Sequence, residues 1–382
     1  MRILFTFAGG AGHAEPLIPI AGAAKDAGHT VAITGKPSIV APIEERGFTV
    51  FGTGSDGTSP SSRTPLLALD AEREDRVLRD GSAGHVARRR VADVLELSAR
   101  WRPDLLVCDE VDFGGMLAAE RLGVPHATVL VIAAGSFVRA SVVAEPLELI
   151  RTELGLPADP GFELLSRDLV LSPFPPTFRD PAFPLPPTAH SIRLEKPAQS
   201  DVSAPWPVHL PGAPTVYATL GTVFNLESGD LFERLLEGLG ELDANVIATV
   251  GRQIDPAELG EVPANVHVER YLPQALVLPC CDAVVSHGGS GTVLGALAHG
   301  LPMVLLPMGA DQPLNAARCE ELGIARVIDA PEATGAAIRE AADALLNDPG
   351  YRLRATRFAD ELAALPGPDQ AVALLERLVP LR

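Results

Sequence analysis

Two series of short apolar runs, each alternating with stretches of helical periodicity, predict an α/β protein of two doubly wound, Rossmann-like parallel-sheet domains facing a cleft. Length agrees, since 382 residues exceed the ordinary reach of one hydrophobic core. So does a proline-dense stretch, residues 173–214, which lies between the two series and reads as an extended connection.

In the first series, Arg2 to Phe7, Thr30 to Thr34, Leu105 to Cys108 and Ala127 to Ile132 read as buried parallel strands, because a strand covered on both faces needs apolar residues on both. Leu17 to Ala27 is an amphipathic helix. Thr53 to Arg90 is polar, rich in Gly and Ser early and in Arg and Asp later, and reads as a loop followed by a helix that can close over an acceptor. The second series has strands at Thr215 to Ala218, Asn245 to Val250, Val266 to Glu269, Ala283 to Ser286 and Met303 to Leu306, with helices at Leu231 to Glu241 and Pro313 to Leu322. The expected division is a first domain over 1–197, a linker over 198–211, a second domain over 212–363, and a C-terminal helix within 364–382 that returns to the first domain.

Lys and Arg number 31 against 49 Asp and Glu, a net charge of −18 that repels nucleic acid and anionic membranes. The N-terminus reads as a strand, not as a signal peptide, and no apolar run nears the ~20 residues of a membrane span, so a cytoplasmic protein is expected. Cys108, Cys280, Cys281 and Cys319 lack metal-ligand spacing and read as buried thiols.

Doubly wound sheets bind ligands at the carboxyl ends of their strands, so residues that directly follow strands carry the chemistry. Gly9-Gly10-Ala11-Gly12-His13 follows the first strand and delivers a histidine to a helix start, where it can act as a general base. The glycines do not fit GxGxxG, because Glu15 stands at the third glycine, and this disfavours a nicotinamide-dependent dehydrogenase. Asp109 follows Leu105 to Cys108 and reaches the same sheet edge. An Asp beside a His fixes the imidazole tautomer and stabilises the imidazolium; capping the following helix is its competing role. The run Asp109-Glu110-Val111-Asp112 also has the composition of a metal cluster, but no metal is assigned, because a sequence does not show the octahedral oxygen geometry of Mg²⁺.

Val284-Val285-Ser286-His287-Gly288-Gly289-Ser290-Gly291-Thr292 reads as a strand ending in a glycine turn that opens a helix. Bare backbone N–H groups at such a start bind a diphosphate. Gly289 and Gly291 keep bulk away, His287 adds a hydrogen bond, and Ser290 and Thr292 add hydroxyl donors.

Five motifs in this order resemble those of GT1-type glycosyltransferases of the GT-B fold, a family that includes bacterial enzymes decorating antibiotics. They are the Gly12-His13 turn, Tyr271-Leu272-Pro273-Gln274, the His287 turn, Gly300-Leu301-Pro302-Met303, and Pro307 followed by Asp311-Gln312-Pro313-Leu314-Asn315. The resemblance implies that His13 is the catalytic base and Asp109 its partner. It implies that Tyr271, Leu272 and Gln274 hold the nucleobase, and that Asp311, Gln312 and Gly12 contact the donor sugar. It further implies that Gly221-Thr222 closes over the diphosphate, with Thr222 among its ligands. Tyr271 departs from the family's usual Trp, though a tyrosine ring also stacks. UDP-sugar enzymes of the family often carry a Glu eight residues after the motif histidine for the ribose hydroxyls; Gly295 stands there. A dTDP donor, which has no 2′-hydroxyl, loses less by this, on the ~1 kcal/mol scale of one hydrogen bond.

A metal-independent, inverting transfer is therefore expected, with a nucleotide-diphosphate sugar, dTDP favoured over UDP, as co-substrate and no cofactor. The acceptor, a small hydrophobic aglycone of aromatic or polyketide type, is expected against Phe113 and Phe137 of the first domain. Partners are small molecules, with a homodimer left open. A sugar-nucleotide epimerase or hydrolase on the same scaffold, and a non-catalytic auxiliary nucleotide-binding protein, are the alternatives. A pure binder has no need of both His13 and Asp109.

Overall fold

A computed structural model describes residues 1–55, 62–194, 210 and 212–379. They fall into two compact units: the described parts of Met1–Thr58, Ala71–Glu195 and Leu365–Arg382 form one, and those of Ser59–Asp70 and Lys196–Ala364 the other.

Seven parallel strands build the first unit: β1 (Arg2–Thr6), β2 (Thr30–Gly35), β3 (Thr49–Gly52), β4 (Leu105–Asp109), β5 (His126–Val129), β6 (Leu169–Ser172) and β7 (Ala189–Ser191), in the order β3-β2-β1-β4-β5-β6-β7. The central strands are apolar on both sides because both faces are covered, and Ile3, Leu4, Phe5, Leu105, Leu106 and Val107 are all fully buried. One face packs against Ile18–Asp26 and the C-terminal helix Pro368–Leu378, whose Ala371 and Leu375 share a core with Leu17 and Ile20. The opposite core is formed with Ala87–Trp101 and Phe113–Leu122. Those two helices meet at Gly114, where a Cβ would come within 2.4 Å of the Arg90 Cβ.

The second unit has six parallel strands: β8 (Thr215–Thr219), β9 (Asn245–Thr249), β10 (Val266–Glu269), β11 (Ala283–Ser286), β12 (Met303–Leu305) and β13 (Ala325–Val327), in the order β10-β9-β8-β11-β12-β13. Leu231–Gly240 and Gly335–Asn347 bury Phe232, Leu235, Leu239, Ile338 and Leu345 in one core with Val216 and Val246 of the sheet. In both sheets the winding direction reverses once, between β1 and β4 and between β8 and β11. Such a reversal leaves a crevice at the carboxyl ends of the two strands it separates.

Part of the proline-dense stretch is not a connection. β7 closes the first sheet, with Val170 N–H donating to Thr188 and Ile192 N–H to Ser172. An edge strand tolerates neighbouring prolines because one side of it needs no ladder donors. The expected linker, 198–211, lies outside the described residues apart from Leu210, whose N–H and C=O pair with the Asn245 amide at 2.9 and 3.0 Å. Residues 62–70, expected in the first domain, pack within the second unit. The helix expected late in Thr53 to Arg90 begins at Ala71 and runs on to Trp101, including the π-helix Val77–Val86. No helix among the described residues is long and apolar enough to cross a membrane.

Candidate active site

The reversal in the first sheet sets the ends of β1 and β4 side by side, with Thr6 opposite Cys108. His13 lies in the single helical turn Ala11–Ala14 beyond β1, and Asp109 is the last residue of β4. Asp109 Oδ1 stands 3.2 Å from His13 Nδ1; the carboxylate is fully buried and the imidazole side chain is 31% exposed. The N–H groups of Ala8 and Val111 donate to the same carboxylate at 2.7 Å each and fix its orientation. A carboxylate only accepts, so Nδ1 carries the hydrogen and the lone pair falls on Nε2, the tautomer a general base needs. Gly9 makes room for this ring: a Cβ there would lie 1.9 Å from His13 Cδ2. Gly12 is exposed beside it.

The acidic run after β4 is divided among separate tasks. Glu110 is buried and accepts from Val131 and Ile132 N–H at 3.0 and 3.1 Å, tying down the segment after β5. Burial pushes its carboxyl up to about 7, although Arg179 and the two backbone donors pull the other way. Asp112 caps Phe113–Leu122 through Gly115 N–H and forms a buried ion pair with Arg90 at 3.0 Å. Thr6 joins that pair, donating to Asp112 at 2.5 Å and accepting from Arg90. Among the described residues no group of three or more His, Cys, Asp or Glu side chains is placed to hold a metal ion. Phe113, expected to face an acceptor, is instead fully buried in the core, because it sits on the face of its helix that packs inward; Phe137 is half-buried against the same core.

In the second unit the reversal sets β8 beside β11, with Thr219 opposite Ser286. After β11, Gly288 takes a φ of +82°, a left-handed conformation open to glycine, and turns the chain into the helix Ser290–Ala298. Gly289 is its N-cap and no side chain caps it, so this N-terminus keeps its affinity for an anion. The His287 ring is wedged between two glycines: Cβ atoms on Gly221 and Gly289 would lie 2.6 and 2.5 Å from its Nε2. Burial drives its pKa down to about 4, against a hydrogen bond to the Thr219 backbone, so the ring is neutral at pH 7. Its Nδ1 is buried with no hydrogen-bond partner among the described residues. With its one N–H taken by the Thr219 backbone, the neutral ring leaves Nδ1 as an acceptor, which a hydroxyl or N–H donor would satisfy and a phosphate oxygen would not.

Ser290 sends its hydroxyl elsewhere than expected, to Asp311 Oδ2 at 2.5 Å, where Asn315 Nδ2 also donates at 2.7 Å. Asp311 is thereby tied to the glycine turn. Gln312 is buried, with Oε1 accepting Met308 N–H at 2.8 Å. Gln274 Nε2 donates to Thr292 Oγ1 at 3.0 Å, which links the Tyr271-Leu272-Pro273-Gln274 turn to the same helix. Gly291 faces open space where a Cβ would stand, and Thr222 is exposed. Tyr271 is 44% exposed, with the Arg252 guanidinium 4.0 Å above its ring; both border a groove of about 480 Å³ with Glu269 and Arg270, and Leu272 is half-buried. Sequence reasoning missed the hydroxyl chain at the ends of β8 and β9, Tyr217 to Thr249 at 2.7 Å and Thr249 to Thr219 at 3.0 Å. Threonine inside a strand reads as an ordinary β-former, so nothing marked it.

Residues 233–378 match the family described as Erythromycin biosynthesis protein CIII-like, C-terminal domain. Across its whole length the chain is 30% identical to tylactone mycaminosyltransferase of Streptomyces fradiae, covering 93% of that protein. It is 28% identical to 3-alpha-mycarosylerythronolide B desosaminyl transferase of Saccharopolyspora erythraea, over 99% of this chain and 98% of that one. Among solved structures, the glycosyltransferase VinC in complex with dTDP is 26% identical, aligns over 99% of each chain and gives a TM-score of 0.76.

Proposed function

The chain belongs to this family of antibiotic glycosyltransferases, and from that premise we propose that it performs a metal-independent, inverting transfer of a deoxysugar from a dTDP donor to a small hydrophobic natural-product aglycone. The observation that carries the reading is the His13–Asp109 pair, a correctly tautomerised imidazole at the strand ends where a doubly wound sheet binds its ligand.

In this reading the acceptor hydroxyl loses its proton to His13 Nε2, and its oxygen forms a bond to the anomeric carbon. The bond from that carbon to the diphosphate oxygen breaks on the opposite face, which inverts the centre and releases dTDP. Asp109 stabilises the imidazolium as it forms. The leaving diphosphate gathers negative charge, and the uncapped start of Ser290–Ala298 stabilises it. Two observations support dTDP over UDP. VinC is a relative solved with dTDP bound. At Gly295 a Cβ would lie 2.8 Å from Leu278 Cδ1 and 3.4 Å from Gln274 Oε1, so the carboxylate that serves ribose hydroxyls elsewhere has neither a side chain nor space here.

The test is His13→Ala, assayed by dTDP release from a dTDP-deoxysugar in the presence of macrolactone and anthracyclinone aglycones. Transfer should fall by the roughly 10²- to 10⁴-fold contribution of a general base, with dTDP affinity kept. Wild-type turnover in the variant would sink the mechanism.

A further inference from the structure

Residues 62–70 separate β3 from the helix Ala71–Arg76 in sequence, yet they pack within the second unit. Their partner is the loop that follows β8. That loop begins with Gly221, at a φ of +78°, beside the His287 ring, and continues through a 3₁₀ turn, Phe224–Glu227. Thr64 N–H donates to Leu226 C=O at 2.7 Å, and Gly229 N–H donates back to Thr64 C=O at 3.0 Å. Arg63 donates to Gly229 C=O at 3.1 Å and forks onto Glu233 at 2.7 and 2.6 Å. Leu66 packs against the unit's core, and its backbone is so close that a Cβ on Gly229 would lie 3.0 Å from the Leu66 nitrogen. From the other side, Asn225, fully buried, donates to Val250 C=O at 3.0 Å, and Ser228 ties back to Asn225 C=O at 2.8 Å.

We propose that residues 62–70 act as a strap that holds the 221–229 loop in its diphosphate-binding conformation, with Arg63 and Thr64 as positioning residues for the donor. The inference rests on the donor reading given above. A loop gripped at Leu226 and Gly229 has few conformations left for Gly221 and Thr222, so the nucleotide need not order them on binding. Arg63 suits the task because its planar fork meets the Glu233 carboxylate and the Gly229 carbonyl together, which a lysine ammonium does not. Burial raises the Glu233 carboxyl, but the Arg63 bonds override it and leave it below the ordinary range. The pair is therefore ionised at neutral pH.

The experiment combines dTDP titration, amide hydrogen exchange and steady-state kinetics on the full chain, wild type against Arg63→Ala and Arg63→Lys. For Arg63→Ala the expected results are dTDP binding weakened roughly tenfold, the scale of one charge-assisted hydrogen bond in a half-exposed setting. Faster exchange at residues 224–229 and a raised KM for the donor should accompany it, with kcat at saturating donor and KM for the acceptor unchanged. Arg63→Lys should fall between. Wild-type dTDP affinity in Arg63→Ala, or exchange no faster than wild type, overturns the strap. If wild-type protein itself does not bind dTDP, the donor reading fails and takes the strap with it, whereas wild-type binding with an unaffected variant removes the strap alone.

Discussion

Replacing Asp109 by Asn keeps the shape of the buried side chain and removes its charge. The carboxylate receives donors on both oxygens: Val111 N–H and His13 Nδ1 on Oδ1, Ala8 N–H on Oδ2. An amide offers one acceptor oxygen, so the favourable orientation keeps Val111 and His13 and turns an NH₂ toward Ala8, which orphans one backbone donor. That costs about 1 to 3 kcal/mol of stability. The larger effect falls on the transition state. In the proposed mechanism His13 becomes an imidazolium 3.2 Å from the carboxylate; at an effective dielectric near 20 the attraction is ~5 kcal/mol, and the ring's partial exposure reduces it toward ~3. At 1.36 kcal/mol per decade, kcat should fall by roughly 10²- to 10⁴-fold. The assay is single-turnover dTDP release with donor saturating, paired with dTDP titration of the same preparation. The donor site proposed above lies in the second unit, so dTDP affinity should not move. A kcat loss under about fivefold, or a parallel loss of dTDP affinity, would refute the assignment of Asp109 as partner of the base.

Gly9→Ala should give the same pattern by sterics, since the new methyl occupies the position of the imidazole and must push His13 off Asp109; a crystal structure of the variant with the His13–Asp109 distance unchanged would contradict this. His287→Ala should weaken dTDP binding, because the ring fills the space between Gly221 and Gly289 at the helix start; calorimetry is the check and wild-type affinity the refuting result. Glu110→Gln should be pH-dependent in stability. The native carboxyl is raised to about 7, so its stabilisation is complete below the ordinary range near 4.5 and is lost as pH rises through 7. Denaturant titrations should therefore show wild type losing up to roughly 3 kcal/mol relative to the variant between pH 5 and pH 8, and a gap constant with pH would mean that Glu110 ionises as an ordinary carboxylate.

The elements legible in the sequence are those whose environment dictates composition. β1, β4, β8 and β11 are covered on both faces, and only runs such as Ile3-Leu4-Phe5 and Val284-Val285 satisfy that. The strand ends at each reversal were legible for a related reason: a glycine turn leading directly into a helix has few purposes other than close approach to a ligand. β7 and β13 were not legible, because each is a three-residue edge strand that is partly exposed and so lacks the apolar run of a central strand, and β7 sits among prolines. Nor does anything local announce that Arg63 pairs with Glu233, 170 residues away. Phe113 misled because burial is a tertiary property; the same apolar residue suits a ligand wall or a core. The separate tasks of the acidic run after β4 were not legible, since its carboxylates diverge to an imidazole, a backbone pair and an arginine, and spacing alone does not reveal direction.

The central claim, that the uncapped helix start beside His287 receives a deoxyribonucleotide diphosphate without metal, is tested most directly by calorimetric titration of the purified protein with dTDP and with UDP, EDTA present and no acceptor added. The account predicts saturable dTDP binding and clearly weaker UDP binding. Binding of neither nucleotide, or of dTDP only when a divalent cation is restored, would contradict it.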